Sequence, residues 1–343
     1  MTLARRFSRR YFSRSTVRPL WKVLFYGSDY FSLKTLALLN ENRLKRTLHP
    51  QVVDSLAVVC PKFKSPVREY AVQESLPFNE WPCSVPRDTY DLGVVVSFGH
   101  MIPAVDIEAC KYGMVNVHPS LLPRWRGAAP LIHTLLAGDT MSGVSVITVA
   151  PKRFDTGKIV AQQEVPVPPR AHLAAYADMM ADIGANMLLT CLQDLPFLLS
   201  QARKQPSEGV TKAAKVTQSM GAICWASHTS EHIDRLYRAL GNFATLTTSW
   251  KGARVKLFEM VSPEELASAK LEQLVKDTAI GPGYCYYHAR RKILCFKCKD
   301  GWVAFRKVSL KGHRKMTATE FDCGFLNKVP PQEHFFTKED SSK

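Results

Sequence analysis

Trp21-Lys-Val-Leu-Phe-Tyr26-Gly27-Ser28 is a short apolar run that stops at a glycine, and residues 30–40 follow with Phe31, Leu33, Leu36, Leu38 and Leu39 at mixed helical spacing. That order reads as strand, turn, helix. Residues 52–59 and 92–98, the latter Leu-Gly-Val-Val-Val-Ser-Phe, repeat the apolar run. Near-continuous apolar strands separated by helical patterns indicate a parallel sheet covered on both faces. Met114-Val-Asn116-Val-His118 and residues 144–149 supply two more strands, and residues 173–197 a long helical stretch that Pro196 is expected to end.

The first domain, residues 21–205, is therefore expected to be α/β with a Rossmann-like parallel sheet. Gly27-Ser28 is not a dinucleotide site, because the second and third glycines of that fingerprint and its ribose-binding acid are missing. Residues 206–221 are polar, with Pro206, Ser207 and Gly209, and read as a linker. Beyond a helix at 230–240, short strands at 246–250, 255–260, 292–297 and 302–310, with turns at Lys251-Gly252 and Asp300-Gly301, indicate a small β-barrel over residues 222–330. Residues 331–343 read as a flexible tail.

The formal net charge of +16 is unevenly spread: residues 1–20 hold six Arg and no acid, residues 21–205 hold 18 basic against 16 acidic, and residues 206–343 hold 22 against 14. A basic excess confined to the carboxyl-terminal part points to a polyanionic partner. The Arg- and Ser-rich start, acid-free until Asp29, has the composition of a mitochondrial transit peptide, and places the chain in the matrix. No run of about 18 apolar residues occurs, so membrane insertion is not expected. The nine scattered Cys suit free thiols in a reducing compartment. Cys295 and Cys298 alone have zinc-like spacing, but strand alternation opposes a shared metal, and none is expected.

The stretch that carries chemistry is Asn116-Val-His118-Pro119-Ser120-Leu121-Leu122-Pro123-Arg124-Trp125-Arg126-Gly127-Ala-Ala-Pro130, followed by Phe154-Asp155-Thr156-Gly157. Asn116 and His118 differ by two and share one face of their strand, an amide beside an imidazole where the strand ends. Pro119 and Pro123 then force an irregular loop. Ligands of open α/β sheets bind at such carboxyl ends, and Asp155 could reach the same place.

With Val23-Leu-Phe-Tyr-Gly-Ser28 and Val94-Val-Val-Ser-Phe-Gly-His-Met-Ile-Pro103, these motifs resemble the folate-dependent formyltransferase family over residues 21–326. Arg-Trp-Arg-Gly-Ala-Ala-Pro130 resembles its methionyl-tRNA branch. The resemblance implies formyl transfer from 10-formyltetrahydrofolate to methionyl-tRNA in its initiator form, by a monomer without a metal. It implies Asn116, His118 and Asp155 as the catalytic set, Phe98, Gly99, His100 and Met101 on the pterin side, and Ser120, Leu121, Leu122 and Pro123 in the folate pocket. It implies an OB-like carboxyl-terminal barrel and places Lys215 near the aminoacyl end of the tRNA. Such transfer needs donors aimed at the developing oxyanion and a route for a proton between two nitrogens. Asn116 and His118 would donate to the oxyanion, His118 would protonate the leaving nitrogen, and Asp155 would take the amine proton.

Between Arg290 and Lys315 lie ten Lys or Arg and one acid. Arg290, Arg291, Lys292, Lys297, Lys299, Arg306 and Lys307 are the candidate tRNA contacts, interleaved with Phe296, Trp302 and Phe305, which either stack on bases or fill the barrel. Rival readings are transfer to a small amine, hydrolysis of formylfolate, and RNA binding on an inactive scaffold. Bacterial relatives carry a basic, Gly-containing insertion where this chain has Cys60-Pro-Lys-Phe-Lys-Ser-Pro66, which bears on how the acceptor stem is gripped.

Overall fold

The computed structural model describes residues 20–241, 243–271 and 280–339, so the transit-peptide reading lies, except for Leu20, outside the described residues. β1 (Trp21–Tyr26) is flanked in parallel by β2 (Val53–Pro61) and β4 (Leu92–Val95), which bury Val23, Phe25 and Tyr26 completely. β3 (Phe78–Trp81) extends the parallel ladder beyond β2, and β5 (Met114–His118) extends it beyond β4. The chain builds outward on one side of β1 and then returns to the other. The carboxyl ends of β1 and β4 thus form a topological switch point, where such sheets open a crevice. There α1 (Tyr30–Arg43) starts from a capping box between Asp29 and Ser32. Ser28 Oγ donates to Ser97 O at 2.7 Å, and Ser97 Oγ to Asp29 Oδ2 at 2.5 Å. α2 (Pro66–Gln73) and α3 (Ala104–Ala109) follow β2 and β4.

The sheet does not stay parallel. After β6 (Arg126–Gly127) and α4 (Pro130–Ala137), β7 (Met141–Thr148) runs antiparallel to β5, pairing His118 with Ser145 and Val115 with Thr148, and β8 (Ile159–Pro166) forms the edge. α4, the helix available for a crossover, packs elsewhere, so the chain turns back at the end where it left β5. Pro196 also acts differently from expectation. It sits in the first turn of a second helix, α6 (Leu195–Ser200), after α5 (Leu173–Leu192) has ended, because a first-turn proline lacks only an N–H that would have no helical partner.

Two units emerge, and the border is not a single cut at residue 205. The first takes the chain up to Arg126 with Gly143–Val165 and Asp178–Thr211; the second takes Gly127–Ser142, Pro166–Ala177 and everything from Lys212. Side chains of α7 (Ser230–Leu240) explain the two borrowed segments. The Arg235 guanidinium occupies the place a Cβ on Gly138 would take, Arg170 and Arg238 both pair with Asp234, and Arg238 Nη1 donates to Ala171 O at 2.9 Å. The stretch expected as a linker is ordered as well. β9 (Lys212–Ala213) lies within it, and Ala213 is fully buried.

In the second unit β10 (Leu246–Trp250) and β11 (Ala253–Met260) form a hairpin whose turn residues Lys251 and Gly252 both have positive φ, as a tight two-residue turn requires. α8 (Pro263–Ala267) follows, then β12 (Cys285–His288), β13 (Ile293–Lys297), β14 (Trp302–Leu310), β15 (Met316–Thr317), α9 (Ala318–Gly324) and β16 (Phe336–Thr337). The antiparallel order is β12-β13-β14-β11-β10-β16, and a bridge between Tyr284 and Phe335 links its two ends. The tail expected to be flexible thus supplies a barrel strand, because Phe336 is 2% exposed, stacks on Trp250 and meets Phe296 edge-on. Phe296 and Phe305 are buried too, so their rings fill the barrel. Cys295, on the opposite face of β13 from Phe296, is buried with Val261, Leu266 and Ala304. Cys298 is buried as well, and burial pushes the two thiols up to about 12 and about 11.

Candidate active site

Alternation along β5 brings Asn116 and His118 to one side, and the loop between β7 and β8 folds back to meet them. Asn116 Nδ2 donates to Asp155 Oδ1 at 3.1 Å, and His118 Nδ1 lies 3.5 Å from the same oxygen. His118 is 4% exposed. Its Nε2 stands 2.9 Å from the carbonyl oxygen of Trp125, which can only accept, so that nitrogen carries a hydrogen. The second oxyanion bond expected of His118, if made by Nε2, would therefore require breaking the bond to Trp125. Nδ1, facing the carboxylate, is the ring atom placed for proton exchange. Asn116 has two amide hydrogens, and one of them already points at Asp155.

Asp155 sits at φ +54°, a left-handed conformation that Asp tolerates better than most residues. Its approach depends on Gly157, where a Cβ would lie 1.6 Å from Thr148 O. The loop after His118 is tied from below by Ser145, whose Oγ donates to Ser120 O at 2.6 Å and accepts from Leu122 N at 3.1 Å. Gln162 Nε2 adds a bond to Leu122 O at 2.8 Å. Trp125 N donates to Thr211 Oγ1 at 2.8 Å. Gln205 joins the two motifs: its Nε2 donates to Asp155 O and Gly157 O at 2.8 and 2.9 Å, while its Oε1 accepts from Arg126 Nε and Nη2 at 2.9 and 2.6 Å. Ser145, Gln162, Gln205 and Thr211 carry no motif, and sequence reading passed over them.

A family model for formyl transferase matches residues 84–192, and one for the formyl transferase C-terminal domain matches residues 215–326. The chain is 43% identical over 319 residues to a Homo sapiens protein named mitochondrial methionyl-tRNA formyltransferase, spanning 92% of this chain and 80% of that one. It belongs to the formyl transferase family. The methionyl-tRNA formyltransferase of Anaplasma marginale is 32% identical over 269 residues, 75% of this chain and 85% of that one. Among solved structures, an N-formyltransferase from Helicobacter canadensis shares the fold at a TM-score of 0.56 and 16% identity, covering 86% of this chain and 99% of that one.

Within this formyl transferase the expected folate residues divide. Gly99 (φ +74°), His100 and Met101 are exposed beyond the carboxyl end of β4, and Leu121 and Pro123 are half-buried. Phe98 is in the core, edge-on to Tyr26 and Trp81; Leu122 packs with Ile147 and Ile159; and the Ser120 hydroxyl is committed to Arg124 O. Those three side chains are buried, turned away from solvent. Trp81, tilted 34° to the His100 ring at 6.0 Å, is an aromatic neighbour that sequence reading missed.

The basic positions also divide. Arg290 and Lys292 are exposed at the β12–β13 turn, Lys299 is exposed after β13, and Lys215 is exposed after β9. Arg291 donates to Ser268 O, Lys297 lies over Trp302, Arg306 pairs with Glu265, and Lys307 pairs with Glu259. The two half-exposed ion pairs contribute roughly 0–1 kcal/mol each. Lys256 and Phe258 leave β11 opposite Ser309 and Lys307 of β14, and Lys315 caps the Phe258 ring at 4.1 Å. This cationic face is legible only as every second residue of β11.

Proposed function

We propose that the chain transfers the formyl group of 10-formyltetrahydrofolate to the α-amino group of methionyl-tRNA, giving formylmethionyl-tRNA and tetrahydrofolate in the mitochondrial matrix. The observation that carries this is the convergence of Asn116 and His118 on one oxygen of Asp155 at the carboxyl end of β5, in a chain whose relatives are named methionyl-tRNA formyltransferase over nearly its whole length. The amine nitrogen attacks the formyl carbon and its proton passes to Asp155. Asn116 donates its remaining amide hydrogen to the oxyanion. Collapse re-forms the carbonyl and breaks the bond to the folate nitrogen, which takes a proton from His118 Nδ1. The folate supplies the carbon; the chain supplies position and electrostatics. Gly99, His100, Met101, Leu121 and Pro123 form the accessible folate lining, and the cations around Lys215, Arg290, Lys292 and Lys299 meet the initiator tRNA, one monomer to each.

The test offers the full chain labelled 10-formyltetrahydrofolate with methionyl-tRNA, uncharged tRNA, free methionine or glycinamide ribonucleotide. Label is expected on methionyl-tRNA alone. Label on a small amine would reassign the acceptor, and tRNA binding without label would leave a binding protein.

A further inference from the structure

We infer that Gln205 is a positioning residue for Asp155, holding the carboxylate that the proposed transfer uses without touching substrate. A glutamine side chain can accept two hydrogen bonds and donate two, and all four are made here. The guanidinium of Arg126 gives both acceptor bonds to Oε1, which fixes which end of the amide is oxygen. The amide hydrogens are thereby aimed at the carbonyls of Asp155 and Gly157. Those carbonyls flank the turn that carries Asp155 in its left-handed conformation, and Gly157 there has no room for a side chain, since a Cβ would run into Thr148 O. Arg126 is in turn anchored by its own backbone N–H on Thr211 O at 2.9 Å. One side chain therefore couples the loop after His118 to the turn bearing Asp155. It sits fifty positions after Asp155, in a segment whose composition gives no sign of a site.

The inference rests on the proposed transfer, and its test is a double-mutant cycle that separates the two. Gln205→Met removes all four bonds at similar length; Gln205→Glu keeps the acceptor for Arg126 and removes both donors. Each is made in the native enzyme and in Asp155→Ala, with kcat, both KM values and melting temperature measured. Expected is a fall in kcat of about tenfold or more for both variants in the native enzyme, KM values within about threefold, and less than a twofold further loss in Asp155→Ala. An equal loss in both backgrounds, a loss confined to KM, or full activity of either variant overturns the role. If one variant fails to fold, the other decides by the same criteria. An Asp155→Ala enzyme with native turnover would overturn the site assignment itself, and the Gln205 role with it.

Discussion

Asp155→Asn isolates the charge of the candidate site from its shape. The new amide oxygen can still accept from Asn116 Nδ2, so the turn and the sheet edge should be unchanged. What is lost is the base that takes the amine proton and, with it, a negative charge 3.5 Å from His118 Nδ1, between side chains only 5% and 10% exposed. Two unit charges at that separation attract by about 5 kcal/mol at an effective dielectric of 20. Solvent reaching the carboxylate and rearrangement around it remove about half, leaving ~2.5 kcal/mol, or ~10² in rate, in the step where the imidazole carries the proton. The assay is single-turnover transfer of labelled formyl at saturating folate and methionyl-tRNA, with filter binding to follow tRNA affinity. The expected result is transfer slower by at least about a hundredfold, an unchanged dissociation constant and an unchanged melting temperature. A rate within about threefold of native, or a loss that appears only as weaker binding, would refute the role given to the carboxylate.

Reversing charge at Arg290, Arg291 and Lys292 should weaken tRNA binding and lower the slope of log affinity against log salt by roughly 0.9 for each phosphate that is no longer neutralised; an unchanged slope would move the tRNA surface away from the β12–β13 turn. Phe336→Ala should cost about 3–5 kcal/mol of stability in urea unfolding, because the ring packs against Trp250 and Phe296 inside the barrel, and a loss below about 1 kcal/mol would return residues 331–339 to the status of a tail. Iodoacetamide at neutral pH should modify Cys224, whose thiol is lowered first by its hydrogen bond to Ser227, and the exposed Cys323. It should spare Cys285, Cys295 and Cys298, which burial raises, and labelling of Cys295 in the folded chain would contradict its packing against Val261, Leu266 and Ala304.

The elements that were readable in advance are those whose residues carry their own reasons. β1, β5, α7 and β10 end where their apolar runs and caps end: Gly27 stops one strand, Pro119 another, and Thr229 accepts from His232 N to begin the helix. The misread elements depend on partners distant in sequence. Nothing local distinguishes an antiparallel β7 from a parallel one, since Val144, Val146 and Ile147 are buried in either direction. The segment holding β16 looks like a tail because its strand is two residues long, and its worth comes from Trp250 and Phe296 on other strands. Pro196 reads as a stop because sequence alone cannot tell a last turn from a first.

The same division runs through the site. Asn116 and His118 are legible because a spacing of two on a strand is already a geometry, and Asp155 because a Thr and a Gly beside it announce a turn. The groups that hold these three side chains are amides and hydroxyls acting at long range: Ser145 under the loop, Gln162 behind it, and Gln205 across it. Ser145 is hidden within an apolar strand, and Gln162 and Gln205 would look solvated in a linear reading. A polar, proline-bearing stretch such as residues 203–211 is what a linker looks like, and also what a segment looks like when side-chain hydrogen bonds hold it in place. The two differ only in whether partners exist, and here Arg126, Asp155 and Gly157 are those partners. Chemistry written in local spacing is thus kept in register by residues whose role becomes visible only in the fold.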